Sequence, residues 1–495
     1  QYFVFSISDG VKKFNLYNIY ISFYADCKAQ TQATYIFSIF QNKNLHLVST
    51  VFQSKKEEIF MKMRKLISSA LALIFALSSL AGCGQSGSSQ PASEATSTAS
   101  AASAVPTEKV ELNYYSWEDE DVYLQAVVDA FNASNDHIHV NYTSFPSMDS
   151  EYWTKILVML SAKEDIDIIG VNGINEYTNF FTKGVLAPLS GLISENNFDM
   201  SGYGSLTKQF GIEQDDGTTE YYGLPHRSGV YATFVNKTLF EEAGIDVPYD
   251  GWTWDEFVDI THQLTKTLPD GRQQWGSAPR GFAWNDPDFG AFLHGQTALD
   301  DDFSHFRDGM ELLDELLNGE KKSSPDYVEL YQNPSQVTAG NFQAGLLACH
   351  NLGDWGVTNM KRYEREGTMD ESVDWDVVPL PHFSDMPNGT TYGFAVMTGI
   401  TSYTEKKQEA FEFLSYLCSE EGAKIIASCG TMPGYRSDAV RDAYLNLDTS
   451  KNLKAFTDAD VLPSAMLSPA ATDLQDMIRR EAELYLIGEK DLDTA

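Results

Sequence analysis

Four short stretches put an aromatic ring beside groups that donate or accept hydrogen bonds: Ser116-Trp117-Glu118-Asp119, Ala283-Trp284-Asn285-Asp286, Gly353-Asp354-Trp355-Gly356 and Thr391-Tyr392-Gly393. Such groupings suit a ligand with an apolar C–H face and a hydroxylated rim, the surface that a sugar ring presents. The face needs a flat aromatic ring to stack on, and the rim needs carboxylates, amides or a guanidinium fork. Trp117, Trp284, Trp355 and Tyr392 are the candidate faces. Glu118, Asn285 and Asp354 lie beside them, Arg227 ends the stretch Gly-Leu-Pro-His-Arg, and Asn172 stands where a short strand ends. Trp355 leads, because Gly353 and Gly356 remove bulk on both sides of it. An aromatic ring serves a core as readily as a ligand, and Trp252 and Trp254 are read as core.

Other chemistries need constellations that the chain lacks or leaves unpaired. Glycoside hydrolysis needs two carboxylates facing each other across a bond. Glu118, Asp119, Asp165 and Asp167 are available, but nothing in the sequence pairs them. There is no Gly-x-Ser-x-Gly elbow, no His-Glu-x-x-His motif and no Walker A loop, since the dipeptide Gly-Lys does not occur. His137 and His139 share a predicted strand face without a third ligand, so neither a metal nor a cofactor is expected. Besides Cys27 and Cys83, only Cys349, Cys418 and Cys429 remain, without Cys-x-x-Cys spacing. They read as small buried side chains.

The elements that must position these residues alternate. Residues 109–115 carry an apolar side chain at every second position and predict a strand. Residues 120–134 predict a helix with Val122, Ala126, Val127, Ala130 and Phe131 on one face. A strand over 137–143, a helix over 150–164 and a buried strand over 166–171 complete a βαβαβ order. That order implies a parallel sheet covered by helices, with ligands at the carboxyl ends of the strands. Trp117, Glu118 and Asn172 fall there. Further on, Gly244 is placed to stop one helix and Thr253-x-x-Glu256 to cap the next.

Upstream, Lys62, Arg64 and Lys65 precede an uncharged run from Leu66 to Leu80. A basic start, a short apolar core and small residues make a secretory signal, too short to span a bilayer comfortably. Leu80-Ala81-Gly82-Cys83 resembles the lipobox of bacterial lipoproteins, which implies cleavage before Cys83 and a lipid on its sulfur. On this reading residues 1–60 are an upstream extension, with synthesis starting at Met61 or Met63, and residues 61–82 are the signal. Residues 83–107, rich in Ser, Ala and Thr, are a flexible tether. Residues 83–495 hold 26 Lys/Arg against 66 Asp/Glu, a charge that repels nucleic acid and anionic lipid surfaces. Their length suits two domains.

Six segments, in order, resemble the extracellular solute-binding proteins of ABC importers, carbohydrate class. They are residues 180–193; Gly223-Leu-Pro with Asn236-Lys-x-x-Phe-x-x-Ala-Gly-Ile and Trp254-x-Glu-Phe; and residues 342–356, 375–383, 390–400 and 406–437. Cys349 and His350 depart from the small apolar residues and Met more usual there, and the ending Gly-Glu-Lys-Asp-Leu-Asp-Thr-Ala reads as a truncated frame. The resemblance implies an α/β fold of two lobes, each a mainly parallel sheet flanked by helices, with chain crossings near Pro225–Tyr231 and Tyr392–Val396. Lobe one would comprise 108–227 with 394–433, and lobe two 228–393 with 434–495. It also implies a monomeric, lipid-anchored receptor on the extracytoplasmic side, not an enzyme, that closes on a sugar and delivers it to ABC permease subunits. Stacking of sugar on Trp355 belongs to this implication. A secreted glycoside hydrolase, or a receptor for a peptide or metal, are the alternative readings.

Overall fold

The computed structural model describes residues 109–117, 121–145, 151–214, 216–279, 288–300, 303–464, 468 and 470–494. Cys83, the signal, the tether, Glu118, Trp284 and Asn285 lie outside the described residues. The strands are β1 (Val110–Trp117), β2 (Ile138–Phe145), β3 (Ile168–Asn172), β4 (Gly211–Glu213), β5 (Thr219–Tyr221), β6 (Leu224–Asn236), β7 (Lys266–Thr267), β8 (Gln273–Ser277), β9 (Leu347–Gly353), β10 (Trp375–Val378), β11 (Thr390–Ile400) and β12 (Asp460–Pro463).

The expected βαβαβ unit is present. β1 lies between β2 and β3, parallel to both, and the helices Asp121–Ser134 and Glu151–Ser161 make the crossovers. Alternation in β1 buries Leu112 and Tyr114, whereas β3 is buried over Ile168–Val171, as suits a strand with neighbours on both edges. The first helix is rotated from the predicted face. It buries Tyr123, Leu124, Val127, Val128 and Phe131, while Val122 is 73% exposed. Tyr123 takes the place that Val122 was expected to hold, with its ring 6.1 Å from that of His226. Gly244 ends the helix Lys237–Ala243 in the left-handed conformation, and Thr253 with Glu256 forms the complete capping box of Trp254–Gln263. Trp252 and Trp254 are core residues, and Cys349 and Cys418 are buried free thiols.

The main sheet runs β2-β1-β3-β11-β6-β9-β8-β7, with β10 on β6 and β12 on β11. Parallel pairs occur at β2-β1-β3, β8-β9 and β11-β12, whereas the long strands β6 and β11 pair antiparallel with each other and with β3 and β9. Two separate cores sit on this sheet. One gathers residues from Leu112 to Leu224 and from Ala395 to Ile426; the other runs from Val230 to Tyr392 and from Ala423 to Leu486. These are the two lobes. β6 leaves the first core at Leu224 and enters the second at Val230, and β11 returns between Tyr392 and Ala395. A third passage follows the helix Glu420–Ser428, where Cys429 packs on the first core and Met432 on the second. Among the described residues no helix is long and apolar enough to cross a membrane.

Candidate functional site

The place where the chain passes between cores is where a ligand can touch both. Phe394, in the middle of β11, and Tyr435, on the third passage, each pack against both cores and remain partly exposed. Around Phe394 lies an aromatic floor. Trp355 is 5.9 Å from it and stands edge-on to Tyr231 at 5.5 Å, and Tyr231 stacks on Tyr392 at 4.5 Å. Two glycines make room for these rings. A Cβ on Gly229 would come within 2.6 Å of the Phe394 ring, and one on Gly353 would overlap Trp355 outright. The glycine beside Trp355 therefore seats the ring.

Arg227 and Asp354 complete this floor. The Arg227 guanidinium lies 5.3 Å from the centre of the Trp355 ring and 3.6 Å from the Asp354 carboxylate. Asp354 is fully buried, and its oxygens accept from Val230 N at 3.3 Å and Met432 N at 2.9 Å. Burial pushes its carboxyl above the ordinary value, against the pull of Arg227 and those two N–H groups. Asn172 is brought close by register: Val396 pairs with Asn172 on one side and with Arg227 on the other. Residues opposite one another on paired strands share a sheet face, so Asn172 and Arg227 stand about 10 Å apart across two strand spacings.

Two further charged residues, not singled out in the sequence, stand on segments that lead away from the crossing. Glu176 lies in the first turn of the helix Gly173–Thr182, directly after β3, and is half-buried. Burial raises its carboxyl to about 7, offset only by its own backbone N–H. Its signal in the sequence was position: an acidic residue one turn beyond a strand end. Arg436, next to Tyr435, is exposed to water, yet the surrounding protein draws its guanidinium below the ordinary value while the Asp354 charge opposes that shift.

Three of the expected contact residues are buried. Trp117 is 1% exposed. It is locked edge-on against Tyr152 at 5.5 Å and lies over Gly170, where a Cβ would be 3.0 Å from its ring, so the first core takes it up. Tyr392 is fully buried beneath Tyr231 and supports the floor from behind. Asp354 has no surface left for a ligand, because backbone donors and Arg227 occupy its carboxylate. Of the described candidates, Trp355, Arg227 and Asn172 keep partly exposed side chains near the crossing. Of the four carboxylates considered for hydrolysis, Glu118 and Asp119 lie outside the described residues, and the other two are engaged with a lysine. Asp165 and Asp167 hold Lys406 at 3.1 and 3.0 Å, and Asp167 accepts from Asn113 N and from the Thr404 hydroxyl. Among the described residues no group of three or more His, Cys, Asp or Glu side chains is arranged to hold a metal ion.

A strand-crossed, two-lobed α/β protein with an aromatic floor at the crossing has the architecture of a solute receptor. The sequence profile of the bacterial extracellular solute-binding proteins matches residues 115–424, more than half of the chain, and the chain belongs to that family. A binding protein of Brucella abortus strain 2308 is 24% identical over 375 residues, 70% of this chain and 80% of its own. A multiple sugar-binding protein of Streptococcus mutans is 26% identical over 167 residues, 33% of this chain and 36% of its own. A sugar transporter structure from Rhizobium etli, in an open conformation, superimposes with a TM-score of 0.66 at 23% identity, covering 78% of this chain and 96% of that one. An ABC substrate-binding protein from Listeria monocytogenes in complex with cycloalternan gives 0.63 at 22% identity, covering 77% and 95%. At these identities the structural likeness establishes the fold.

Proposed function

We propose that this protein captures a sugar or oligosaccharide between its two lobes and delivers it to the permease of an ABC importer, acting as a monomer without catalysis. The observation that carries the reading is the Trp355 ring, partly exposed at the crossing, held edge-on by Tyr231 and flanked by Arg227. A stacking face beside a guanidinium fork matches the apolar face and hydroxyl rim of a pyranose. Glu176, Asn172 and Arg436 supply further acceptors and donors around it. The sugar ligands named for the Streptococcus mutans relative and the Listeria monocytogenes structure support the same class. Ligand contacts on both sides of the crossing favour a closed state by their differential affinity for it, through bending at the crossing strands. The lobes are assigned here as 108–227 with 394–433 and 228–393 with 434–495.

Residues 61–82 are assigned as a lipoprotein signal and Cys83 as the lipid-bearing residue, which holds the receptor on the extracytoplasmic face of the membrane. Mass spectrometry of the native protein tests this: Cys83→Ala should lose the lipid, and an unmodified Cys83 within an intact chain would refute it. Calorimetric titration with a panel of di- and trisaccharides, mannotriose and maltotriose included, tests the main reading. Binding without product formation is the expected result. Sugar fragments accumulating in proportion to protein, and surviving repurification, would favour a hydrolase. Heat on titration with oligopeptides or divalent metal alone would favour the other solute classes.

A further inference from the structure

We propose that Asp354 is the positioning residue of this site, tying the seat of Trp355 and Arg227 to two of the three passages between the lobes so that ligand face and hinge move as one unit. The first sign is a cap that does not cap. Asp354 occupies the N-cap of the helix Trp355–Glu366, where an aspartate ordinarily accepts from the first free N–H groups of its own helix. Its side chain makes no such bond. It turns away to accept from Val230 N on β6 and from Met432 N on the third passage, 124 and 78 residues distant in sequence.

The segments it joins are already laced together. Ser228 N donates to Met432 O at 2.9 Å, Gly434 N donates to His226 O at 3.2 Å, and Arg227 bridges to Pro433. Asp354 N in turn donates to Val230 O at 2.9 Å, extending the β6–β9 ladder to the residue just before Trp355. A carboxylate within this lacing also faces Arg227, whose guanidinium covers Trp355, and its charge reaches Arg436 on the third passage. A buried charge held by two N–H groups and a guanidinium is costly to release, because each donor it leaves is stranded away from water. Tilting the Trp355 ring or withdrawing Arg227 toward a ligand therefore strains the bonds that fix β6 against residues 430–434. Conversely, bending at those residues shifts the ring. The proposal rests on the closing-lobe reading above, but not on the identity of the solute.

The test uses the full chain carrying Asp354→Asn, with Arg227→Gln as the milder variant. Both are read by hydrogen–deuterium exchange and by the share of tryptophan emission that Trp355→Phe removes. Asn keeps the shape of the side chain but turns a donor toward one of the two N–H groups. The expected result is exchange accelerated about tenfold or more at both 226–231 and 430–434, with β3 and residues 407–417 still protected and the Trp355 emission shifted. Arg227→Gln should produce the same pattern more weakly, and adding it to Asp354→Asn should add little. Acceleration at only one of the two segments, or spread evenly through both lobes with Trp355 emission unchanged, overturns the proposal. If Asp354→Asn does not fold, Arg227→Gln decides: unchanged exchange at 430–434 and unchanged Trp355 emission refute the link. Closure is read separately, by small-angle scattering of the unsubstituted protein with and without the oligosaccharide selected by titration. A lack of compaction there removes the closing-lobe reading and leaves the exchange result standing.

Discussion

Replacing Trp355 with Ala separates a ligand-stacking ring from a merely structural one, provided that the right quantity is read. In the ligand-free protein the ring contributes an edge-on contact with Tyr231, a tilted contact with Phe394 and the Arg227 guanidinium over its face. Aromatic pairs contribute about 0.5–1.5 kcal/mol each and a partly exposed cation–π contact about 0.5–1, so the substitution should cost about 1.5–4 kcal/mol. A fully buried tryptophan such as Trp117 costs about 3–5 kcal/mol on truncation to Ala. These ranges overlap, so melting temperature alone cannot decide. Affinity can: a lost stacking face is worth on the order of 1–3 kcal/mol, about ten- to a hundredfold in Kd. Titration calorimetry on Trp355→Ala and Trp117→Ala, each first shown to melt cooperatively, makes the comparison. Trp355→Ala should weaken binding strongly, whereas Trp117→Ala should lower stability and leave affinity within about twofold. Unchanged affinity in a folded Trp355→Ala protein would remove the ring from the site.

Gly353→Ala should mimic Trp355→Ala in affinity, because the new methyl group occupies the seat of the ring; a Kd within about twofold of the parent would refute that packing argument. Glu176, raised to about 7 by burial, accepts hydroxyl protons best when ionised, so affinity should rise as pH increases from 6 to 8, and Glu176→Gln should flatten the profile in calorimetry across those pH values. Asp288 is 1% exposed, neither carboxylate oxygen has a hydrogen-bond partner among the described residues, and burial raises it to about 7. Its folded value lies above the ordinary one, so stability is lost as pH climbs from about 4 to about 7, up to roughly 4 kcal/mol. Asp288→Asn should thus raise the melting temperature at pH 8 by several degrees and change it little at pH 4; an equal change at both would refute this.

What the sequence made legible was what short-range pattern controls. The βαβαβ unit, the glycine stop at Gly244 and the capping box at Thr253 depend on residues within one or two turns of each other, and the structure has each of them. Helix rotation was read less well, since an alanine-rich face is weakly apolar and Tyr123 shifted it. The site was legible only where local composition carried it. Gly353 and Gly356 marked Trp355, but nothing near Trp117 told that Gly170, far along the chain, would open a slot for its ring. The burial of Asp354 was not legible, because its partners are backbone N–H groups on distant segments that leave no trace in side-chain pattern.

The threading of the two cores has a consequence for the order in which the molecule assembles. Tyr114 and Thr398 share a hydrogen bond across 284 residues, and β3 finds its second neighbour only in β11. The lobe begun first therefore cannot be finished until β11 and the residues up to Ile426 are made, whereas the body of the second lobe, from Val230 to Tyr392, is one continuous stretch that residues up to Leu486 then complete. Contacts so distant in sequence form slowly, because the intervening chain must first be gathered in. The second lobe acts as that gatherer: once folded, it brings Leu224 and Ala395 to adjacent strands and shortens the loop that β11 must close. A nascent chain ending before β11 carries β1, β2 and β3 without their closing strand, the form in which exposed strand edges are most prone to aggregate.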